Sequence, residues 1–256
     1  MSSSSLSVIV PAYNEEDTLA IVVRKLIGLP HLFEVIVIDD CSKDRTGEVA
    51  RQLASQYEQV RLIQHDRNRG KTAALITGFA ASRGDIVIVQ DADLEYDPTE
   101  IVDVITPIVD GVADVVYGSR FLVKKAARVL YFYHYLANKL LTLISNLLTN
   151  INLSDVETGY KAFRGEIVRN MIITSRGFGF EIEVTAKVAK LKCAIYEVPI
   201  SYYGRTYEQG KKIGTKGAIA AFWYLLQYNV FCSLKSSFRS LPATRREAAK
   251  AGHPVS

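Results

Sequence analysis

Two carboxylates, Asp91 and Asp93, flank Ala92 shortly after the apolar run Ile86–Val89. In an extended chain, residues i and i+2 point to the same side. Two anions held side by side at the end of a hydrophobic strand repel each other unless a cation lies between them. Oxygen ligands of this kind suit Mg2+ or Mn2+, shared with a diphosphate. Glu95 is a third carboxylate at the same spacing. A solvated acidic loop would have the same letters, so the elements beneath the motif decide its meaning.

Those elements are legible. Leu6–Val10, Val35–Ile38, Val60–Ile63, Ile86–Val89 and Val115–Tyr117 read as short, largely β-branched strands. Between them, Glu15–Leu29 places apolar residues at Leu19, Val22, Val23, Leu26 and Ile27, a helical spacing. Asp44 or Thr46 can cap a helix to about Gln56, Lys71–Ser82 is a third helix, and Asp97-Pro98-Thr99 opens a fourth to about Val109. Apolar strands separated by helices predict an α/β fold, a mostly parallel sheet covered on both faces. Such sheets bind ligands beyond the carboxyl ends of their strands. The residues at those ends are Pro11–Glu15, Asp39–Ser42, His65–Lys71, Asp91–Asp93 and Gly118–Arg120. The position of Asp91 and Asp93 there favours the metal reading over the solvated loop.

Several chemistries have no support. The first strand–helix turn lacks GxGxxG, no GxxxxGK[ST] occurs, and no Ser or Cys stands in a GxSxG-like elbow. The three cysteines, Cys41, Cys193 and Cys232, form no CxxC pair, which predicts a reduced compartment without a disulfide framework or zinc cluster. Hydrophobic residues make up 48 % of the 256 and charged residues 23 %, a globular balance. The serine run at Met1–Ser5 has no basic and apolar regions of a signal peptide, so none is expected there.

The charge is uneven. Val115–Ser154 and Gln209–Arg246 contain no Asp or Glu and together carry twelve Lys and Arg, while the rest of the chain has 27 acids against 19 bases. Basic, apolar, aromatic stretches suit an anionic lipid surface or a phosphorylated lipid. In Val129–Leu148 the residues His134, Asn138, Thr142 and Ser145, followed by Thr149, form a polar stripe, which predicts an interfacial amphipathic helix over about 128–150. Gly217–Leu234 is uncharged and aromatic, but Gln227 and Asn229 near its middle argue for lying on a membrane rather than spanning it.

Seven segments in register carry a resemblance. They are Val10–Glu15 (VPAYNE), Val37–Asp44 (VIDDCSKD), Asn68–Lys71 (NRGK), Gln90–Glu95 (QDADLE), Gly118–Phe121 (GSRF), Ser154–Arg164 (SDVETGYKAFR) and Tyr203–Tyr207 (YGRTY). The chain resembles family 2 glycosyltransferases with the GT-A fold, and in particular dolichyl- and polyprenyl-phosphate mannosyl- and glucosyltransferases. The resemblance runs from about Leu6 to Leu234. It implies that Pro11, Tyr13, Glu15, Asp39 and Asp40 hold the nucleotide. It implies that Asp91 and Asp93, with Ala92 between them and Glu95 as a further candidate ligand, bind the donor diphosphate through Mg2+ or Mn2+. Arg120 and Arg205 would face phosphates, where a planar, permanently charged guanidinium is suited. Lys71 would add charge near the diphosphate or simply be solvated.

The acceptor decides the mechanism. An alcohol needs a base, whereas a phosphate monoester is largely dianionic at neutral pH, its second pKa being about 6. A lipid phosphate therefore needs positive charge rather than deprotonation. The expected acceptor-side residues are Arg128, His134, Asn138, Asp155, Glu157 and Lys211. Asp155 and Glu157 are the base candidates if the acceptor is an alcohol; otherwise Asp155 caps a following helix and Glu157 is solvated. The reading is an inverting, metal-dependent hexosyltransferase using GDP-mannose or UDP-glucose and a polyprenyl or dolichyl phosphate. It would be cytoplasmic, peripherally membrane-associated and without nucleic-acid partners. Transfer to a lipid or glycan hydroxyl, and non-catalytic binding of a nucleotide-sugar, are the alternatives. The expected organisation is a GT-A domain over 6–203, a membrane-associating segment over 204–238 and a disordered basic tail over 239–256.

Overall fold

The computed structural model describes residues 4–122, 131–204 and 215–245. Seven strands form one sheet: β1 (Leu6–Ala12), β2 (Leu32–Asp39), β3 (Val60–Gln64), β4 (Ile86–Val89), β5 (Val115–Ser119), β6 (Lys161–Arg164) and β7 (Ile195–Pro199). Their order is β3-β2-β1-β4-β6-β5-β7. All neighbouring pairs are parallel except those made by β6, which runs antiparallel to both β4 and β5.

The apolar runs reflect burial on both faces. Val8 and Val10 point into one core with Leu19, Val22 and Leu26 of α1 (Leu19–Ile27) and Ile101 and Val104 of α4 (Ile101–Val109). Ile9, Ile36 and Ile38 point into the other, with Leu75 and Phe79 of α3 (Lys71–Ala81) and Val184 of α7 (Phe180–Leu191). Each such side chain contributes about 1.5–3 kcal/mol by leaving water. Helix α3 lies so close to β1 that a Cβ at Gly78 would stand 2.3 Å from Ile9 Cγ2. α2 (Thr46–Gln56) covers the first face, α6 (Gly165–Asn170) follows β6, and α8 (Thr215–Leu226), one π-helical turn (Gln227–Phe231) and α9 (Leu234–Ser237) follow β7.

Three details differ from the sequence expectation. The first helix starts at Leu19 rather than Glu15, because Glu15 is used in a turn where Thr18 Oγ1 donates to its carboxylate at 2.7 Å. No helix follows Asp155; the next element is β6. Residues 239–245 are packed rather than disordered: Arg239 N–H donates to the Asn170 carbonyl, and Arg245 N–H to the Asp114 carboxylate. The remainder of that tail lies outside the described residues.

Helix α5 (Phe132–Thr149) is inside out for a surface helix. Its polar stripe packs inward: Thr142 and Ser145 are buried, and Val156 N–H donates to Thr142 Oγ1; next to the stripe, Asn146 exchanges two hydrogen bonds with the Leu153 backbone. Most of its apolar residues point outward, Tyr133 being 80 % and Leu147 74 % exposed, with Phe132, Leu136, Leu140 and Leu143 also exposed, whereas Leu141 and Ile144 pack against Ile182, Ala221 and Leu225. Phe222, Trp223, Val230 and Phe231 are exposed in α8 and the π turn. Among the described residues no helix is long and apolar enough to cross a membrane.

Candidate active site

The carboxyl ends of β1, β2 and β4 bring three loops together. Asn14 and Cys41 adopt left-handed backbone, φ 56° and 60°, in the first two. These loops lock together: Asn14 N–H donates to Ser42 Oγ and Lys43 N–H to Asn14 Oδ1. Tyr13 stays exposed beside Pro11.

Asp39 and Asp40 are both buried, and their oxygens hold the framework. Asp39 accepts from Ser42 N–H and Gln64 Nε2. Asp40 accepts from the backbone amides of Arg69 and Gly70 and from His65 Nδ1 at 2.6 Å. The other ring nitrogen of His65 lies 2.9 Å from Thr77 Oγ1. Asp40 thus holds the turn that ends at Gly70 (φ +86°) and opens α3. Nothing in the spacing of His65 announced this bond.

That turn delivers Lys71 to the Asp91–Asp93 motif. Its ammonium lies 2.7 and 2.8 Å from the two oxygens of Asp91. Of the two alternatives read from the sequence, the merely solvated lysine is corrected: Lys71 opens α3 and is paired with Asp91. Desolvation opposes the charge on Lys71, but Asp91, and then Glu181, outweigh it and raise its pKa. Leu94 is left-handed (φ 59°), turning the chain so that Glu95 N–H donates to Asp93 Oδ1.

Glu95 departs from its expected place as a metal ligand. Its carboxylate accepts from the Tyr202 hydroxyl at 2.8 Å and its carbonyl from Tyr203 N–H. Among the described residues no three His, Cys, Asp or Glu are grouped as a metal site. Asp91 and Asp93 remain as a pair, and one or two carboxylates plus substrate phosphates is the usual Mg2+ arrangement in phosphate-transferring sites. The residues fit a cation that arrives with a diphosphate.

The antiparallel β6 makes the second half of the site. Its first residue lies at the sheet edge where β4 and β5 end, so the loop 154–160 sits between Asp91 and Arg120. A Cβ at Gly159 would be 3.1 Å from Asp91 Oδ2 and 2.9 Å from Tyr96. Gly159 N–H donates to the Tyr96 hydroxyl, and Tyr96 stacks on Tyr160 at 4.7 Å. Arg120, after β5, grips Asp155 with Nε and Nη2 at 2.6 and 2.7 Å. Asn138 of α5 adds a bond to the same carboxylate. The guanidinium lies 5.2 Å from the centre of the Tyr202 ring. Burial opposes ionisation of Asp155, but Arg120 overcomes it and lowers the carboxyl below its ordinary range. The loop is also held by Glu197 of β7, which accepts from Ser154 and Asp155 amides, and by Lys139 of α5, which donates to the Ser154 carbonyl.

Glu157 and Lys161 complete this half. Lys161 is fully buried, with Nζ donating to the carbonyls of Val156 and Thr158. Burial pushes its pKa down. Glu157 Oε1 is also buried; burial first, then Glu181, pushes its carboxyl up. Glu181, in the first turn of α7, acts on both Lys71 and Glu157; it lies in none of the seven segments and has no spacing signal. His134 packs beside Tyr131, ring centres 5.8 Å apart. Arg128, Arg205 and Lys211 lie outside the described residues.

Comparisons with known proteins identify the family and the fold. A family model described as Glycosyl transferase family 2 matches residues 7–172. The chain is 33 % identical to a dolichol-phosphate mannosyltransferase of Pyrococcus furiosus, over 82 % of this chain but only 59 % of that longer protein. It is 28 % identical to an undecaprenyl-phosphate mannosyltransferase of Micrococcus luteus, over 84 % of this chain and 94 % of that one. It is 29 % identical to a polyprenol monophosphomannose synthase of Mycolicibacterium smegmatis, over 84 % and 83 %. Among solved structures, glucosyl-3-phosphoglycerate synthase from Mycobacterium tuberculosis in complex with Mn2+, uridine diphosphate and phosphoglyceric acid superposes with a TM-score of 0.69. That match has 21 % identity and covers 89 % of this chain and 79 % of that one. It establishes the GT-A fold.

Proposed function

The chain belongs to glycosyl transferase family 2, and from that premise we propose that it moves a hexose from a nucleoside diphosphate sugar to a polyprenyl phosphate. GDP-mannose and UDP-glucose are both candidate donors. The names of the relatives support the acceptor class, mannosyl transfer to dolichol, undecaprenyl and polyprenol phosphates.

The observation that carries the phosphate acceptor is the Arg120–Asp155 pair. A carboxylate saturated by a guanidinium and held below its ordinary pKa is a poor base. What the site can offer the acceptor instead is the permanent positive charge of Arg120. Two guanidinium nitrogens are bonded to Asp155, and Nη1 is the one that can turn to a phosphate, which arrives already ionised.

The residues divide the work as follows. Pro11 and Tyr13 wall the nucleotide, and Asp39 and Asp40 hold the loops that shape its pocket. Lys71 moves from Asp91 toward the diphosphate as the donor enters. Arg120 orients the acceptor phosphate for in-line attack at the anomeric carbon, with inversion. Asp91 and Asp93 would hold a divalent cation, which supplies charge neutralisation for the departing diphosphate. The outward apolar face of α5 and the exposed aromatic residues near Trp223 support docking on the cytosolic leaflet, where the lipid phosphate is presented.

The test is a product assay with the full chain, a polyprenyl phosphate in detergent, Mg2+ or Mn2+, and a panel of GDP- and UDP-sugars. Lipid-dependent release of nucleoside diphosphate, lost in Asp93→Ala, is the expected result. Release indifferent to the lipid, or product with retained anomeric configuration, would overturn the mechanism.

A further inference from the structure

Three buried side-chain atoms have no hydrogen-bond partner among the described residues: Glu157 Oε1, Ser175 Oγ and Arg245 Nε. Only Glu157 belongs to the loop between the diphosphate motif and Arg120. An orphaned carboxyl oxygen forfeits about 1–3 kcal/mol of desolvation, more when charged. Its oxygen has no partner among the described residues, so its intramolecular role is limited to the charge it sets against the buried Lys161. Its loop neighbours are satisfied: Asp155 by Arg120 and Asn138, Thr158 by Tyr160 N–H and Lys161, and Gly159 by Tyr96. Lys161 is close enough to act on Glu157, yet its ammonium is bonded to the carbonyls on either side of it.

We propose that Glu157 is a substrate-contacting residue, its open carboxyl oxygen completed by an O–H group that arrives with the substrates. The proposal rests on the glycosyl-transfer reading and adds a contact to it. Two sources supply that chemistry, a hydroxyl of the donor hexose and the P–OH of a singly ionised acceptor phosphate. The charged groups that act on Glu157 come from four places. Asp155 is in its own loop, Lys161 begins β6, Arg120 follows β5 and Glu181 opens α7. Their opposing signs, together with burial, favour the protonated carboxyl more than in water. A protonated carboxyl can donate as well as accept, so both sources can bond to it.

The experiment compares wild type with Glu157→Gln and Glu157→Ala in two arms. The first is calorimetric titration with GDP, UDP, GDP-mannose and UDP-glucose in the absence of acceptor. It measures how much the hexose adds to nucleotide affinity and does not depend on transfer. The second is the KM for a short-chain polyprenyl phosphate. A hexose contact lowers the hexose increment in Glu157→Ala by about 3- to 10-fold, as expected for a hydrogen bond to a neutral group, and leaves GDP and UDP affinity unchanged. An acceptor contact leaves the hexose increment intact and raises the acceptor KM by the same factor, with Glu157→Gln losing less. In either case the thermal midpoint of both variants equals or exceeds that of wild type, because no intramolecular bond is removed. If hexose increment and acceptor KM are both unchanged, or if the variants are destabilised with binding intact, Glu157 is a framework residue and the proposal fails. A chain that binds nucleotide-sugar but transfers nothing to lipid would overturn the function reading while leaving the first arm decisive.

Discussion

Removing the carboxylate of Asp155 tests whether the Arg120 half of the candidate site is built on one ion pair. Asp155 is fully buried and the Arg120 side chain is only 17 % exposed. The two exchange a fork of bonds at 2.6 and 2.7 Å, and Arg120 N–H adds another at 3.2 Å. Charge centres about 4 Å apart attract by about 4 kcal/mol at an effective dielectric constant near 20. Breaking such a pair from one side leaves a buried charge and costs about 3–5 kcal/mol. Asp155→Ala and Arg120→Ala should each lose that much. For a chain of this size that corresponds to a fall in thermal midpoint of about 6–20 °C. The double variant should lose less than the sum, by about 2–4 kcal/mol, because neither charge is then stranded. Denaturant titration of the four proteins measures the coupling. Losses below about 1 kcal/mol that simply add would show a surface-type pair and refute the reasoning. Asp155→Asn adds a catalytic readout. With a phosphate acceptor its rate falls by a factor that does not vary with pH. Disappearance of an acidic limb from the pH–rate profile would make Asp155 a base and promote an alcohol acceptor.

Two further outcomes follow from packing. Gly118→Ala would place a Cβ 2.9 Å from two carbons of Ile200 and from Tyr160 Cβ; we predict a loss of about 1–3 kcal/mol in denaturant unfolding, and an unchanged midpoint would contradict the close packing of β5 against these residues. Leu143→Glu with Leu147→Glu on α5 alters only outward-facing side chains. Its stability should stay within about 0.5 kcal/mol per site, while sedimentation with anionic liposomes falls sharply, each apolar side chain contributing about 1.5–3 kcal/mol when buried; equal sedimentation would remove α5 from the membrane contact.

The legible part of the molecule was the part with strong periodicity. Runs such as Val35–Ile38 and Ile86–Val89 are apolar because both faces of the sheet are covered, and that pattern located the strand ends whose loops form the candidate site. β6 was not legible. It is four residues long, begins and ends with a basic residue, and buries Lys161 completely. Only its pairing with two neighbours explains it. The stripe in α5 was found, but its direction was not, since a helical spacing identifies a face without saying which way it turns. In the site, the residue types of Asp91, Asp93, Arg120 and Asp155 pointed to charge handling. The pairings Lys71 with Asp91, Arg120 with Asp155, Asp40 with His65 and Glu95 with Tyr202 are tertiary, and no local spacing encodes them.

The reversed strand has a metric consequence. Ala162 stands opposite Ile88 on one side and Val116 on the other. Asp91 is three residues beyond the first partner and Arg120 four beyond the second. The two groups are therefore measured from one common origin, across two inter-strand gaps of about 4.8 Å each. The resulting spacing of roughly 10 Å between the two strand ends cannot change without breaking the ladder on which both halves hang. The interval between the strand ends that carry the Asp91 and Arg120 loops is thus set by the sheet, and any change in the separation of the two side chains must come from the loops above it.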